Sequence, residues 1–152
     1  MGYERGRGDH PLEEEVYPST SGYTVQTAEG VWVLNSIFFL TQNNMFHQKR
    51  NSQNRIKFLE FGSGAGALSN LARAMGIRDV YALDPYTSAQ KIYYEKYNFP
   101  GIVFSRDKDV IFKHAPFDVV VSSSVFEHLF GPVNELISIY DNMNKGGLFL
   151  YK

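Results

Sequence analysis

Short apolar runs alternate with stretches of helical periodicity from residue 56 onwards, and this alternation limits the possible folds more than any other feature. The apolar runs predict five strands, at Ile56–Phe61, Asp79–Leu83, Gly101–Phe104, Phe117–Val121 and Gly146–Tyr151. The segments between them predict helices at Ala67–Met75, Ser88–Tyr97 and Val133–Met143. Strands that alternate with helices at this spacing form βαβ units. The sequence therefore predicts an α/β fold, with a parallel sheet between two layers of helices.

Length and composition exclude several classes of protein. The 152 residues suit one domain, and a hydrophobic share of 43% supplies a core. Fifteen Lys and Arg nearly balance sixteen Asp and Glu, which argues against binding nucleic acid through a basic field. Without cysteine, the chain has no disulfide, thiolate metal site or cysteine nucleophile. The apolar stretch Val31–Leu40 is too short to span a membrane and no secretory signal is visible, so we expect a soluble cytoplasmic protein.

The first fifty residues differ in character from the rest of the chain. Residues 1–28 are rich in Gly, Pro, Ser, Thr and charge, and they carry no sustained period, so we interpret them as an arm. A helical pattern runs from Glu29 to about Gln48, with one apolar face formed by Val31, Leu34, Phe38 and Met45. This part of the chain is therefore predicted to be an arm followed by a helix.

Three glycines at alternate positions stand between the first predicted strand and its helix. They are Gly62, Gly64 and Gly66, directly after Phe61. Glycine lets the backbone approach a ligand closely, and the helix that follows turns its N–H groups and the positive end of its dipole toward that ligand. The alternative is a glycine-rich connector that binds nothing.

Asp84 closes the second predicted strand, 20 residues after Gly64. In doubly wound folds a carboxylate at this distance accepts hydrogen bonds from ribose hydroxyls. The glycine turn and the acid together predict a site for a nucleoside-containing cofactor. The turn also satisfies the dinucleotide pattern Gly-x-Gly-x-x-Ala, so a nicotinamide cofactor is an alternative. Two features argue against it: Glu60 stands two residues before Gly62, and the third glycine falls at Gly66.

The segment around these glycines resembles motif I of class I S-adenosylmethionine-dependent methyltransferases, in which an acid and any residue precede Gly-x-Gly-x-Gly. The resemblance extends from about Ile56 to Tyr151. Tyr81–Asp84 is similar to the second motif, Ser124–Leu129 resembles the "LEH" segment of the small-molecule methyltransferases, and Asn142–Gly147 resembles the lead into the fifth strand. The resemblance implies a doubly wound, mostly parallel sheet in the order 3-2-1-4-5, preceded by an N-terminal helical lid.

The resemblance also implies roles for individual residues in binding S-adenosylmethionine and methylating a small-molecule acceptor. Glu60 would orient the cofactor's ammonium, Asp84 would hold its ribose, and Asp107 would accept from the adenine amino group. The other implied cofactor contacts are Gly62, Ser63, Gly64, Gly66, Pro85 and Ser122. His128 is the candidate base for an acceptor that must lose a proton, and Glu127 would orient it or bind the acceptor. A purely structural role for this acid–histidine pair is the alternative, and we expect no metal site.

The family's sheet normally has a sixth and a seventh strand, for which this sequence shows no counterpart. We therefore expect a single domain in a truncated or minimal form, with the lid at residues 1–50 and the methyltransferase-like core at residues 51–152. The edge of the fifth strand would then recruit a second copy or another chain. The first alternative to methyl transfer is a non-catalytic module that binds a nucleoside cofactor or a partner. The second is an NAD(P)-linked oxidoreductase.

Overall fold

The computed structural model describes residues 55–64, 66–85 and 101–152, together with Asn35. Apart from Asn35, the predicted N-terminal lid lies outside the described residues, and so does the predicted helix Ser88–Tyr97. The described ranges contain no helix that is long and apolar enough to cross a membrane.

Five strands form one sheet in which every neighbouring pair is parallel. They are β1 (Lys57–Phe61), β2 (Asp79–Leu83), β3 (Ile102–Ser105), β4 (Phe117–Ser122) and β5 (Met143–Tyr151). Their order across the sheet is β3-β2-β1-β4-β5. The predicted fold class and strand order are therefore confirmed. The strand order reverses between β1 and β4, and in open α/β sheets such a switch point opens a crevice at the carboxyl ends of the strands.

Three α-helices lie between these strands in the described ranges: α1 (Ala67–Ala74), α2 (Lys108–Phe112) and α3 (Pro132–Asp141). Gly76, the predicted stop of the first helix, has a φ of 96°. Its amide donates to the carbonyl oxygen of Arg73, and the amide of Ile77 donates to the carbonyl oxygen of Ala72. These two bonds form the Schellman arrangement, in which glycine tolerates the left-handed conformation that ends a helix.

The helices cover both faces of the sheet. On one face, Leu68 and Ala72 of α1 pack in a buried cluster with Phe58 of β1. On the opposite face, Ile139 of α3 belongs to a second buried cluster with Leu59 of β1. Because successive side chains of a strand point to opposite faces, these two neighbours in β1 belong to different cores. The sheet is therefore doubly wound, as predicted.

The predicted helix Val133–Met143 is observed as α3, which begins one residue earlier, at Pro132. Glu127 and His128 lie before it, in a separate 3-10 turn, Phe126–His128. Proline suits the first position of a helix and disfavours the helical conformation in the residue before it. Gly131 accordingly has φ −133° and ψ 62°. The sequence prediction also missed the short helix α2.

β5 begins at Met143, which was predicted to end the preceding helix. The register between β4 and β5 shifts between Phe117 and Val119, so the early part of β5 contains a bulge. A Cβ atom on Gly147 would lie 2.9 Å from the carbonyl oxygen of Asn144. The bulge therefore requires a glycine at this position, which explains one of the two glycines in the lead into the strand.

β5 forms one edge of the described sheet, since its only neighbour there is β4. α3 has exposed apolar side chains at Val133, Ile137 and Tyr140, and Tyr151 of β5 is exposed as well. The three α3 residues recur at helical spacing and form an apolar stripe, called the α3 stripe below. An exposed apolar stripe is a candidate contact surface.

Candidate functional site

The turn after β1 is hydrogen-bonded to the last residue of β2. The amides of Gly62 and Ser63 both donate to the carbonyl oxygen of Leu83, at 2.7 and 3.0 Å. Leu83 is the last residue of β2, and Asp84 follows it. The structure thus brings the glycine turn and the acid of the second strand to the same place, at the carboxyl edge of the sheet.

Asp84 contacts the glycine turn directly. Its side chain is buried, with 1% of the residue exposed, and its Oδ2 accepts a hydrogen bond from the amide of Gly64 at 2.7 Å. Its own amide donates to the carbonyl oxygen of Ser105 at 3.2 Å, which joins it to the end of β3. Backbone donors stabilise a buried carboxylate and fix its orientation. The two features whose spacing predicted a nucleoside site are therefore in contact.

Gly62 has a structural role that does not depend on a ligand. Its φ is 80°, and a Cβ atom built on it would lie 2.1 Å from Cγ2 of Val125. Val125 follows β4 and is buried in the core cluster that contains Leu59. The first glycine is thus required by close packing against a side chain, a reason that the sequence pattern alone does not reveal.

Glu60 is buried between β1 and α1 beside a serine. Ser69 donates from its amide to Oε2 of Glu60 at 2.8 Å, and the hydroxyl of Ser69 is hydrogen-bonded to the same oxygen. Burial raises the pKa of the Glu60 carboxyl to about 8; the Ser69 hydrogen bonds oppose this rise, and the nearby Asp84 carboxylate adds to it. Glu60 is therefore mostly protonated at neutral pH. Ser69 is absent from the residues predicted for the site, although a serine on the buried face of α1, between Leu68 and Ala72, was a usable signal.

A run of three serines begins at the last residue of β4, Ser122. Ser122 is buried, and its Oγ has no hydrogen-bond partner among the described residues. Such an atom calls for an explanation, and a polar ligand atom is one. Ser124 has a φ of 55°, a left-handed conformation that is uncommon outside glycine and is concentrated at functional sites. Its amide donates to the carbonyl oxygen of Lys152 at 3.0 Å, which ties this loop to the end of β5.

The residues predicted on the adenine side lie at the ends of β2 and β3. The side chain of Asp107 caps α2, because its Oδ1 accepts from the amide of Asp109 at 2.9 Å. Arg106 donates from Nε to the carbonyl oxygen of Pro85 at 2.7 Å and so joins the two strand ends. Asp107 thus has a structural role, and its contact with an adenine stays a prediction.

Glu127 and His128 lie on the surface just beyond β4. Their side chains are 52% and 54% exposed, and Oε1 of Glu127 lies 3.9 Å from Nε2 of His128. This distance is longer than a hydrogen bond, so the carboxylate does not hold the ring in this arrangement. The catalytic role of the pair stays a prediction. The part of the chain that the structure describes contains no group of three or more acids and histidines that could hold a metal ion.

The family described as "Methyltransferase domain" matches residues 39–152 of the chain. No curated protein matches it at a significant level. Among solved structures, the chain is similar to a ribosomal protein L11 methylase from Lactobacillus delbrueckii subsp. bulgaricus. The identity is 19% and the TM-score 0.51, over 73% of this chain and 57% of that one.

Two further solved structures share the fold. The glycopeptide N-methyltransferase MtfA, complexed with S-adenosylmethionine, is 21% identical with a TM-score of 0.52, over 66% of this chain and 49% of that one. The plantazolicin methyltransferase BpumL, in complex with a monoazolic desmethylPZN analog and SAH, is 16% identical with a TM-score of 0.58. The match covers 82% of this chain and 48% of that one. The chain thus spans about half the length of these proteins.

Proposed function

Because the chain belongs to the methyltransferase domain family, we propose that its site binds S-adenosylmethionine and transfers a methyl group to a small molecule. The observation that carries this proposal is the pair of buried carboxyls, Glu60 and Asp84, at the ends of adjacent strands. One carboxyl suits an ammonium and the other suits two ribose hydroxyls, and S-adenosylmethionine carries both groups. A dinucleotide would instead place an anionic pyrophosphate at this turn, and a pyrophosphate has no cation to pair with the carboxyl of Glu60.

The residues at the strand ends have complementary tasks in this proposal. Bound S-adenosylmethionine supplies a methyl group activated by a sulfonium, so the acceptor's electron pair forms the new bond to carbon as the carbon–sulfur bond breaks. Glu60 binds the ammonium, Asp84 accepts from the ribose in the orientation fixed by Gly64, and the buried hydroxyl of Ser122 bonds to the ligand. The further contacts proposed are Gly62, Ser63, Gly66, Pro85 and Asp107.

The surface position of Glu127 and His128 fits a role toward the acceptor rather than the cofactor. His128 takes the proton from an acceptor that must lose one, and Glu127 binds the acceptor or orients the ring as it arrives. His128→Gln should then lower the rate of methyl transfer without changing the affinity for the cofactor product, S-adenosylhomocysteine. An equal loss of rate and affinity would indicate a structural role instead.

A small-molecule acceptor is supported by the resemblance of Ser124–Leu129 to the corresponding segment of small-molecule methyltransferases. The structural neighbours include a ribosomal protein methylase as well as a glycopeptide methyltransferase, so they favour neither class. The test incubates the protein with a cell extract and S-adenosylmethionine labelled in the methyl group. We expect label in the small-molecule fraction, and label confined to the protein fraction would contradict this part of the proposal.

Calorimetric titration with S-adenosylhomocysteine tests the cofactor without knowledge of the acceptor. We expect one binding site for this ligand and none for NADH or NADPH. Glu127→Gln serves as the matched control, because it removes an exposed carboxyl that the cofactor does not use, and it should bind S-adenosylhomocysteine as the unaltered protein does. Binding of NADH in preference to S-adenosylhomocysteine would overturn the proposal.

The edge of β5 and the α3 stripe favour a second candidate, a module whose main task is to bind a partner or another copy of itself. An exposed strand edge offers backbone donors and acceptors to an added strand, and the stripe offers an exposed apolar surface. The two candidates differ in turnover. Formation of S-adenosylhomocysteine from S-adenosylmethionine with any acceptor would exclude a purely non-catalytic module.

A further inference from the structure

Within the described residues, the carboxyl of Glu60 receives two hydrogen bonds, and both come from one residue of the following helix to the same oxygen. The amide and the hydroxyl of Ser69 bond to Oε2, while Oε1 takes part in neither bond. Ser69 itself has no exposed surface, and Glu60 is 8% exposed. The serine therefore fixes the plane and position of the carboxyl without occupying the oxygen that a ligand would need.

We propose that Ser69 is a positioning residue, which holds Glu60 for the ammonium of the cofactor, and that the cofactor's ammonium releases a proton from Glu60 as it binds. The inference rests on the proposed function, because the cofactor is the ligand that brings the ammonium. The proton leaves Glu60 for the solvent, and the resulting carboxylate forms an ion pair with the ligand's cation.

Burial is the main reason that Glu60 keeps its proton before the ligand binds, and the charges around it add to this effect. From β2, Asp84 faces it with a second buried carboxyl. From α1, the nearest charged residue along the helix is Arg73, and its guanidinium is hydrogen-bonded to the carbonyl oxygens of Ile77 and Arg78. β4 contributes Asp118, far along the strand, where it is bonded to the amide of Lys57. Within the described residues, Glu60 therefore has an acid beside it and no cation.

The Ser69 hydroxyl matters most once Glu60 is charged, because a hydrogen bond to a carboxylate is stronger than one to a neutral acid. Removing the hydroxyl makes ionisation harder by about tenfold. At pH 6.5, Ser69→Ala should accordingly weaken the binding of S-adenosylhomocysteine by about tenfold. At pH 8.5, where much of Glu60 is already ionised, the same substitution should weaken binding by only about threefold. A change that merely disturbed packing would weaken binding equally at both pH values.

The test is calorimetric titration of the full chain with S-adenosylhomocysteine at pH 6.5 and 8.5, in buffers that differ in ionisation enthalpy. At pH 6.5 the unaltered protein should release about one proton more than Glu60→Gln does, and this difference should shrink at pH 8.5. Subtracting the Glu60→Gln result removes the proton exchange of the ligand itself. Ser69→Thr keeps the hydroxyl and should retain most of the affinity that Ser69→Ala loses.

Methylthioadenosine is the matched control ligand, because it has the nucleoside and the sulfur but no ammonium. It should bind to the unaltered protein and to Ser69→Ala with equal affinity and without proton release. Thermal unfolding checks the fold of each variant. If Ser69→Thr does not fold, the double-mutant cycle of Ser69→Ala and Glu60→Gln replaces it as the test. In that cycle, Ser69→Ala should have no pH-dependent effect on binding once Glu60→Gln is also present. Binding of S-adenosylhomocysteine without excess proton release would overturn this inference and leave the proposed function standing. Failure of both ligands to bind would overturn the proposed function and the inference together.

Discussion

Replacing Glu60 by glutamine should make the protein more stable above neutral pH. The unfolded chain releases the Glu60 proton near the ordinary value of 4.5, whereas burial raises the pKa in the folded state to about 8. Between these two values the folded state binds more protons than the unfolded state, so the free energy of unfolding decreases as the pH rises. The contribution of Glu60 to stability is complete below pH 4.5, is lost across this window, and changes no further above about pH 8.

The size of the effect follows from the same two values. At 1.36 kcal/mol per pH unit, the interval from 4.5 to about 8 corresponds to at most about 5 kcal/mol. Glutamine keeps the shape of the side chain and still accepts from the amide of Ser69, but it cannot ionise. We therefore expect Glu60→Gln to differ little from the unaltered protein at pH 5 and to exceed its unfolding free energy by about 2–4 kcal/mol at pH 9.

Urea unfolding at pH 5, 7 and 9 measures this difference directly, since the midpoint and slope give the free energy of unfolding for each protein. Glu127→Gln is the control, because it makes the same change of residue type at a side chain that is half exposed rather than buried. A difference between Glu60→Gln and the unaltered protein that stays constant from pH 5 to 9 would refute the reasoning. It would mean that Glu60 ionises in the fold much as it does in the unfolded chain.

Three further substitutions and one solution measurement test the remaining parts of the site and the edge. Asp84→Ala should weaken S-adenosylhomocysteine binding at least about tenfold in a folded protein, because it removes charge-assisted bonds to the ribose; unchanged affinity in titration would exclude this residue from the site. Gly64→Val should abolish binding and lower stability by about 1–3 kcal/mol in urea unfolding, since φ there is 49°. Gly62→Ala should lower stability by about 2–4 kcal/mol, and by less when Val125→Ala removes the side chain it meets; equal losses in both backgrounds would argue against this contact. Light scattering over a concentration series should show self-association through the β5 edge, and a monomer at every concentration would contradict that prediction.

The sheet could be predicted from the sequence because its strands are short apolar runs separated by helical patterns. Buried parallel strands must be apolar on both faces, so β1, β2 and β4 stand out from their surroundings. The start of β5 was less predictable, since the bulge there places Gly147 against the backbone of Asn144 and of Asp118 in β4. α2 escaped prediction because five residues are too few to show a helical period.

The candidate site was predictable to the extent that its residues fall at strand ends. Asp84 and Glu60 occupy the places that the spacing implied, and Ser122 ends β4 as expected. Sequence reasoning could not find the link between Ser69 and Glu60, because hydrogen bonding between a helix and a buried strand depends on how the helix packs. It also treated Gly62 only as a ligand contact, because a glycine required by a neighbouring side chain has the same sequence pattern as one required by a ligand.

The two buried acids connect the stability of this fold to its proposed ligand. Burial disfavours a charge on Glu60 and the nearby Asp84 carboxylate adds to this effect, so the fold keeps Glu60 protonated. A cation stabilises the Glu60 carboxylate that burial disfavours, which favours a ligand that carries an ammonium over one that carries a pyrophosphate. Raising the pH removes the proton before the ligand arrives, so it should weaken the unliganded fold while strengthening the binding of S-adenosylhomocysteine. The contribution of Glu60 to stability should therefore fall with pH while its contribution to binding rises. Both contributions should be absent in Glu60→Gln.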